Sequence, residues 1–213
     1  MIAAIILFVF LGLSMLMNFG QFLGSLGEVS GETGHGTGPR LQEATLRDGG
    51  SDAKIAMIPI EGVITSQHID GTGFDMVDVI KAQLKRAEKD KKVQAVLLKV
   101  DSPGGEVLAS DDIANAIRKF QDTSGKPVIV SMGNLAASGG YYVSAPCRYI
   151  VANDLTITGS IGVIMSGLNY RGLMDKIGLR PQVCKSGKFK DMLSGMREPD
   201  KIPQEEIDMM QNM

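Results

Sequence analysis

GNLAASGGYY, residues 133–142, places one serine, Ser138, between two alanines and two glycines. The segment 127–132 before it is apolar and β-branched, as in a buried strand, and residues 141–145 after it can begin a helix. A serine at such a strand-to-helix turn can be approached closely by a substrate backbone, and the free N–H groups of the helix N-terminus favour developing negative charge. Several unrelated hydrolases present a nucleophilic serine in this way. Taken alone, such a stretch is more often a glycine-rich turn that merely requires small residues, so the rest of the chain decides.

The composition is that of an ordinary globular protein. The chain has 213 residues, of which 22% are charged and 44% hydrophobic, and its net charge is −2. It has no basic excess, no tryptophan and only 5% aromatic residues, so neither a nucleic-acid partner nor a base-stacking surface is expected. The two cysteines, Cys147 and Cys184, show no metal-ligand spacing, which favours two separate buried thiols. No metal site and no cofactor are expected.

The N-terminal 26 residues are largely apolar and uncharged, since the first charged residue is Glu28. This length of apolar sequence predicts a transmembrane anchor at 1–26 in a single-pass protein of the cell membrane. A cleaved signal peptide is the alternative, but it would have a basic start, a shorter apolar core and a small-residue cleavage site. No Lys or Arg follows the span before Arg40, and this asymmetry favours an extracytoplasmic position for the rest of the chain.

The remaining chain divides into a tether and a folded domain. Residues 27–53 are rich in glycine and polar residues without periodicity, which predicts a flexible linker. Residues 54–213 alternate between strand and helix patterns, which predicts an α/β domain with mainly parallel strands. Because the last helical pattern is cut off by the chain end, we expect this domain to be C-terminally truncated.

The individual helices and strands are predicted from the spacing of apolar residues. Apolar residues recur at helical spacing over 74–89 and again after Ser110, which is expected to be the N-cap of the second helix. The apolar run within the strand 93–100 predicts burial on both of its faces. The other predicted strands are 55–60, 127–132, 149–152, one entered through the turn 158–163, and 181–184; the other predicted helices are 141–145, 168–177 and one that begins near Pro203.

Three glycine-containing loops each follow a predicted strand: 102–105, 137–140 and 158–162. Loops at the carboxyl ends of parallel strands gather at one edge of a sheet, where ligands bind. A backbone N–H from the Gly104–Gly105 loop and another from Gly139 can then form an oxyanion hole. Two such donors usually supply a large share of the catalysis of acyl transfer.

A nucleophilic serine needs a base, and the chain has only two histidines. His35 lies in the tether and His68 lies in a short polar loop, so a Ser-His-Asp triad is not favoured. His68 nevertheless remains an alternative base. The lysines of the segment 185–191 are the other candidates. A lysine acts as a base only if desolvation lowers its pKa towards about 7–8. By itself, such a cluster is more often a solvated basic loop.

Four motifs together resemble the signal peptide peptidase A family, in its short, single-domain, membrane-anchored form. They occur in the family's order and spacing, and the resemblance extends from about Ile55 to the end of the chain. The motifs are DSPGG (101–105), MGNLAASGGYY (132–142), TGSIGV (158–163) and KSGKFKD (185–191).

The resemblance implies the fold of Clp protease and crotonase, built from repeated β-β-α units. It further implies a serine–lysine dyad, with Ser138 as the nucleophile and Lys190 as the general base. Ser160 matches an accessory serine that holds the lysine, and Gly105 and Gly139 match the oxyanion positions.

The resemblance also implies how such an enzyme assembles and what it cleaves. Members of the family form homo-oligomeric rings or domes, in which adjacent protomers supply the serine and the lysine of one site. They degrade remnant signal peptides and prefer apolar segments. A related membrane protease that acts on stomatin-like partners and a crotonase-type acyl-CoA enzyme are the alternatives; the predicted anchor argues against the second. A non-catalytic scaffold is disfavoured because both Ser138 and Lys190 are present.

Overall fold

The computed structural model describes residues 38–68 and 73–212. The predicted anchor at 1–26 therefore lies outside the described residues, and the predicted linker is described only from residue 38. The chain forms two compact units, the first ending at Ile161 and the second beginning at Gly162. No helix within 38–68 or 73–212 combines the length and the apolar character needed to span a membrane.

A parallel five-stranded sheet organises the first unit. β1 pairs with β2, β2 pairs with β3, and β3 pairs with β4 along one part of its length and with β5 along another. This pairing confirms the prediction of an α/β domain with parallel strands. The strands are β1 Lys54–Glu61, β2 Val93–Ser102, β3 Val128–Ala137, β4 Tyr149–Val151 and β5 Ile157–Gly159.

Three helices belong to the first unit: α1 Met76–Lys89, α2 Val107–Ser124 and α3 Gly139–Ser144. The Asp75 side chain caps α1 by accepting the N–H of Asp78 at 2.8 Å. The buried residues of α1 and α2 include all the apolar positions that the helical spacing selects: Val77, Ile80, Leu84 and Ala87 in α1, and Ile113, Ala114, Ile117 and Phe120 in α2.

The apolar core lies on one face of the sheet. Buried side chains of β1, β2 and β3 form a single cluster with those of α1 and α2. Along β2, Val96, Leu98 and Val100 are buried, whereas the alternate residues Ala95 and Leu97 are half-buried and Lys99 is exposed. The prediction that this strand is buried on both faces is wrong, because the packed helices cover only the face that carries Val96, Leu98 and Val100.

The helix α2 begins earlier than its sequence predicts. Its N-cap is Glu106, and Ser110 lies inside the first turn with its hydroxyl donating to the Glu106 carbonyl at 2.8 Å. Ser110 is therefore not the N-cap. The reason is that a parallel bridge between Ile64 and Gly105 holds the preceding loop, so the helix starts immediately after it.

The described part of the predicted linker, from residue 38, contains no helix or strand. Two of its residues nevertheless contact the domain. Arg86 of α1 donates to the carbonyl oxygen of Leu41 at 2.6 Å, and Lys54 pairs with Glu43 at 2.8 Å.

The second unit contains short helices and no strand among its described residues. Its helices are α4 Arg171–Lys176 and α5 Gln204–Gln211, with a 3-10 turn at Pro199–Lys201. The predicted strand at 181–184 is wrong, because Val183 is exposed and no neighbouring strand pairs with it in the described chain. Between Gly162 and Asn212, the only buried residue is a carboxylate, Glu206.

Candidate active site

An irregularity in β3 sets the position of the candidate nucleophile. Val100 pairs with Met132, but Ser102 pairs with Ala136, so β3 has extra residues opposite Asp101. The Asp101 carboxylate fills this bulge and accepts the N–H of Leu135 at 3.0 Å. A Cβ at position 133 would lie 2.8 Å from the Asp101 Cγ atom, which explains the glycine there.

Ser138 lies at the turn between β3 and α3, as the sequence predicts, in a strained backbone conformation. Its φ angle is 52° and its ψ angle is −120°, a region that residues with a Cβ rarely adopt. Such strain costs on the order of 1–3 kcal/mol and persists only where the surroundings impose it. Two backbone bonds do so here: the Ser138 N–H donates to the Gly159 carbonyl, and its carbonyl accepts the N–H of Tyr142, both at 2.8 Å.

The glycine loop after β2 lies directly against this turn. A Cβ on Gly104, whose φ is +90°, would lie 2.5 Å from the Gly139 nitrogen and 2.9 Å from the Ser138 Cβ. A Cβ on Gly105 would lie 2.0 Å from the Ile64 carbonyl oxygen. Glycine at these two positions therefore lets the loop pack against the Ser138–Gly139 turn through Gly104 and against Ile64 through Gly105.

The hydrogen bonds of the loop also fix the direction of its N–H groups. The Ile64 N–H donates to the Gly104 carbonyl at 2.9 Å, and the carbonyl and N–H of a trans peptide point in opposite directions. The Gly105 N–H therefore points away from Ile64. Gly139 is the first residue of α3, so its N–H has no partner within the helix. The two N–H groups predicted for the oxyanion hole lie on adjoining segments.

Ser160 reaches the same end of the sheet through β5. Ala137 pairs with Gly159, and the carbonyl of Gly159 is the acceptor for the Ser138 N–H. Ser160 follows directly, with an exposed side chain and a φ angle of 51°. The structure thus brings together four of the five predicted site residues within the first unit: Gly105, Ser138, Gly139 and Ser160.

Lys190, the predicted base, lies in the second unit with an exposed side chain. Its two neighbouring lysines are occupied, because Lys185 pairs with Asp191 at 2.5 Å and Lys188 pairs with Glu205. Among the described residues, no carboxylate pairs with Lys190. Of the three lysines in the motif, Lys190 is therefore the one whose amine is available for another role.

An ion network that the sequence analysis missed holds the segment next to Lys190. Arg197 donates to both carboxylate oxygens of the buried Glu206, at 2.7 and 2.6 Å, and its Nε lies 3.7 Å from Asp191. Hydrogen bonding from Lys185 and the nearby Arg197 charge lower the pKa of Asp191, and Glu206 raises the pKa of Arg197. The spacing of these residues in the sequence does not predict the ion pairs, because the partners come together only when the chain folds.

Three other residues that the sequence singles out are His68 and the two cysteines. His68 is exposed at the end of the described segment 38–68. Burial raises the pKa of the Cys147 thiol to about 12, which makes it a poor nucleophile. Both cysteines are free, and Cys184 is exposed rather than buried as predicted.

The sequence resembles known peptidases over most of its length. Residues 120–213 match the profile of Peptidase family S49. A protein from Enterococcus faecium that is named after signal peptide peptidase SppA is 41% identical over 163 residues, which are 75% of this chain and 47% of that protein. These matches confirm the resemblance drawn from the four motifs, and they favour a peptidase over an acyl-CoA enzyme.

Another relative is matched over a smaller share of its own length. The chloroplastic serine protease SPPA of Arabidopsis thaliana is 35% identical over 174 residues, or 80% of this chain and 24% of the plant protein. The chain thus spans about half the length, or less, of these relatives. The solved structure of a membrane-bound stomatin-specific protease with a substrate peptide is 26% identical and covers 53% of this chain and 47% of that one, with a TM-score of 0.44. At that TM-score the likeness does not establish a common fold.

Proposed function

We propose that this chain is a serine endopeptidase in which Ser138 is the nucleophile and Lys190 is the general base. The observation that carries the proposal is the contact of the Gly104–Gly105 loop with the strained Ser138–Gly139 turn. A strained serine beside two outward N–H groups is the arrangement that acyl transfer requires.

The chemistry follows from these groups. The Ser138 Oγ bonds to the scissile carbonyl carbon while its proton passes to the neutral Lys190 amine. The carbonyl oxygen becomes an oxyanion, which accepts hydrogen bonds from the N–H groups of Gly105 and Gly139. When the C–N bond breaks, the ammonium of Lys190 returns the proton to the leaving amine, and water then releases the acyl group by the same steps. Ser160 holds the lysine amine in place.

The biological setting belongs to the same proposal. The family name of the relatives and the apolar N-terminal sequence support remnant signal peptides and other apolar peptides as substrates. Residues 1–26 anchor the chain in the cell membrane, with the domain outside the cytoplasm. The domain has the Clp protease and crotonase type of fold, and homo-oligomers complete each site with residues of adjacent protomers. A chain with this anchor stays in the membrane pellet after a carbonate wash, whereas a cleaved signal peptide would release it shortened into the soluble fraction.

The direct test is hydrolysis of an apolar fluorogenic peptide by the full chain and two variants. Ser138→Ala should lower turnover by about a millionfold, as for other catalytic serines. Ser131→Ala is the matched control, because Ser131 lies in the same strand and is also half-buried. Ser131→Ala should retain the parental rate. Near-parental hydrolysis by Ser138→Ala would refute the proposal.

A further inference from the structure

The segment after β1 continues the parallel ladder along the oxyanion loop. The Gly62 N–H donates to the Asp101 carbonyl, the Ile64 N–H donates to the Gly104 carbonyl, and the Glu106 N–H donates to the Ile64 carbonyl. In a regular parallel ladder, the N–H of residue 103 would supply the remaining bond, to the Gly62 carbonyl. Residue 103 is Pro103, which has no N–H.

The Ser102 hydroxyl takes the place of the missing donor. Its Oγ donates to the Gly62 carbonyl at 2.6 Å and accepts the N–H of Gly104 at 3.0 Å. Ser102 is fully buried, so no water replaces either bond. One hydroxyl therefore joins both sides of the ladder across the proline and fixes the peptide that precedes Gly104.

We infer that Ser102 is a positioning residue for the oxyanion hole. It holds the Gly104 N–H while Ile64 holds the Gly104 carbonyl, so both peptide planes of the loop are fixed. The Gly105 N–H then keeps its direction away from Ile64, in the loop that lies against the Ser138 turn. Without the hydroxyl, the Gly104–Gly105 peptide rotates more freely, and its N–H is no longer aimed at the oxyanion. This inference rests on the proposed function of Ser138.

The test compares Ser102→Ala with Ser144→Ala in the full chain. Ser144 is the matched control because it is also fully buried and its hydroxyl also bonds a backbone carbonyl, that of Gly140 at 2.7 Å. Ser102→Ala should lower kcat on the order of 10²-fold, as the loss of one oxyanion donor does, with KM unchanged. Its affinity for a peptide aldehyde, whose adduct carries the oxyanion, should fall by a similar factor. Ser144→Ala should leave both values near parental.

Three further variants separate positioning from general stability. Ser102→Thr keeps the hydroxyl and should recover most of kcat. Ser102→Cys fills nearly the same space with a weak hydrogen-bond donor. It should fold even if Ser102→Ala does not, and it should show the same loss of kcat. Adding Pro103→Ala to Ser102→Ala supplies a backbone N–H for the Gly62 carbonyl and should raise kcat several-fold above that of the single variant.

The outcomes distinguish this inference from the proposed function. If Ser138→Ala remains active, the proposed function fails. If Ser138→Ala is inactive while Ser102→Ala and Ser102→Cys match the parent in kcat and aldehyde affinity, only the role of Ser102 fails. Two other results also overturn the role of Ser102. One is a loss of kcat that parallels the loss of thermal stability in the Ser102 and Ser144 variants alike. The other is a kcat of the Ser102→Ala, Pro103→Ala double variant that is no higher than that of Ser102→Ala.

Discussion

The two units of the chain are held by different forces. In the first unit, an apolar core lies beneath the sheet, and backbone bonds and close glycine contacts fix the Ser138 turn. In the second unit, no described apolar residue is buried, and ion pairs converge on Glu206 and Asp191. Packing therefore fixes Ser138 and the Gly104–Gly105 loop, whereas ion pairs hold the segment that carries Lys190.

This difference has physical consequences. Packed glycines and buried backbone bonds are insensitive to salt and to mild changes of pH. Exposed ion pairs contribute at most about 1 kcal/mol each and weaken as salt screens them. The pair of Arg197 and Glu206 is the exception, because the carboxylate is only 1% exposed.

After the loss of Ser138 itself, the largest effect is expected for Lys190→Arg, which keeps the charge but removes the ability to accept a proton. Turnover should fall on the order of 10³- to 10⁴-fold, as for loss of a general base. Lys188→Arg is the matched control, since Lys188 is engaged with Glu205 and lies 4.9 Å from the ring centre of Phe189. It should keep the parental rate. If Lys190→Arg stays active while His68→Ala is inactive, the base is the histidine.

The next effect concerns the close packing around Ser138. Gly104→Ala should lower kcat about 10²- to 10³-fold, because the new Cβ meets the Gly139 nitrogen and displaces an oxyanion donor. Gly125→Ala is the control, since Gly125 also has a positive φ angle, +68°, but has no atom within 4 Å of its Cβ position. Both glycines have a positive φ angle, but a Cβ meets neighbouring atoms only at Gly104. Equal activities would show that the loop does not need its tight contact.

A smaller effect, on stability alone, is expected in the second unit. Arg197→Met leaves the buried Glu206 carboxylate unpaired, which should cost about 3 kcal/mol. Hydrogen exchange should then rise across residues 162–212 while the core of the first unit stays protected. Lys201→Met, which removes the exposed pair with Glu198, should change exchange little. Unchanged protection in Arg197→Met would mean that the ion network does not hold this unit.

The smallest effect is the response of the second unit to acid. The pKa of Asp191 is lowered in the folded chain, first by the hydrogen bond from Lys185, so its ionised form stabilises the fold above its ordinary pKa. That contribution is lost as the pH falls below about 4 and through the lowered pKa. Proteolysis of residues 162–212 should therefore increase between pH 5 and pH 3. The increase should be smaller in Asp191→Asn; an equal increase in both proteins would assign it to other carboxylates.

The sequence was a good guide wherever a local pattern determines the structure. Helical spacing identified the buried faces of α1 and α2, and glycines after apolar runs identified the loops that meet at Ser138. These features are encoded within a few residues, so one sequence suffices to predict them.

Features that depend on distant partners were not predicted. The Asp101 carboxylate in the β3 bulge and the Ser102 hydroxyl beside Pro103 are defined by segments more than 30 residues away. The pair of Arg197 and Glu206 likewise has no periodic signal. The strand predicted at 181–184 was wrong for a different reason. A short apolar run is compatible with a strand, but it does not show that a neighbouring strand is present to pair with it.

The central claim is that Ser138 is the nucleophile, and the position of a covalent adduct tests it most directly. Ser160 is a demanding internal control, because it also has a positive φ angle and lies at the same end of the sheet. The full chain should be treated with a fluorophosphonate and the modified residue located by peptide mass spectrometry. One adduct is expected, on Ser138, and it should be absent in Ser138→Ala and retained in Ser131→Ala. An adduct on Ser160 instead, or no adduct on a chain that hydrolyses peptides, would contradict it.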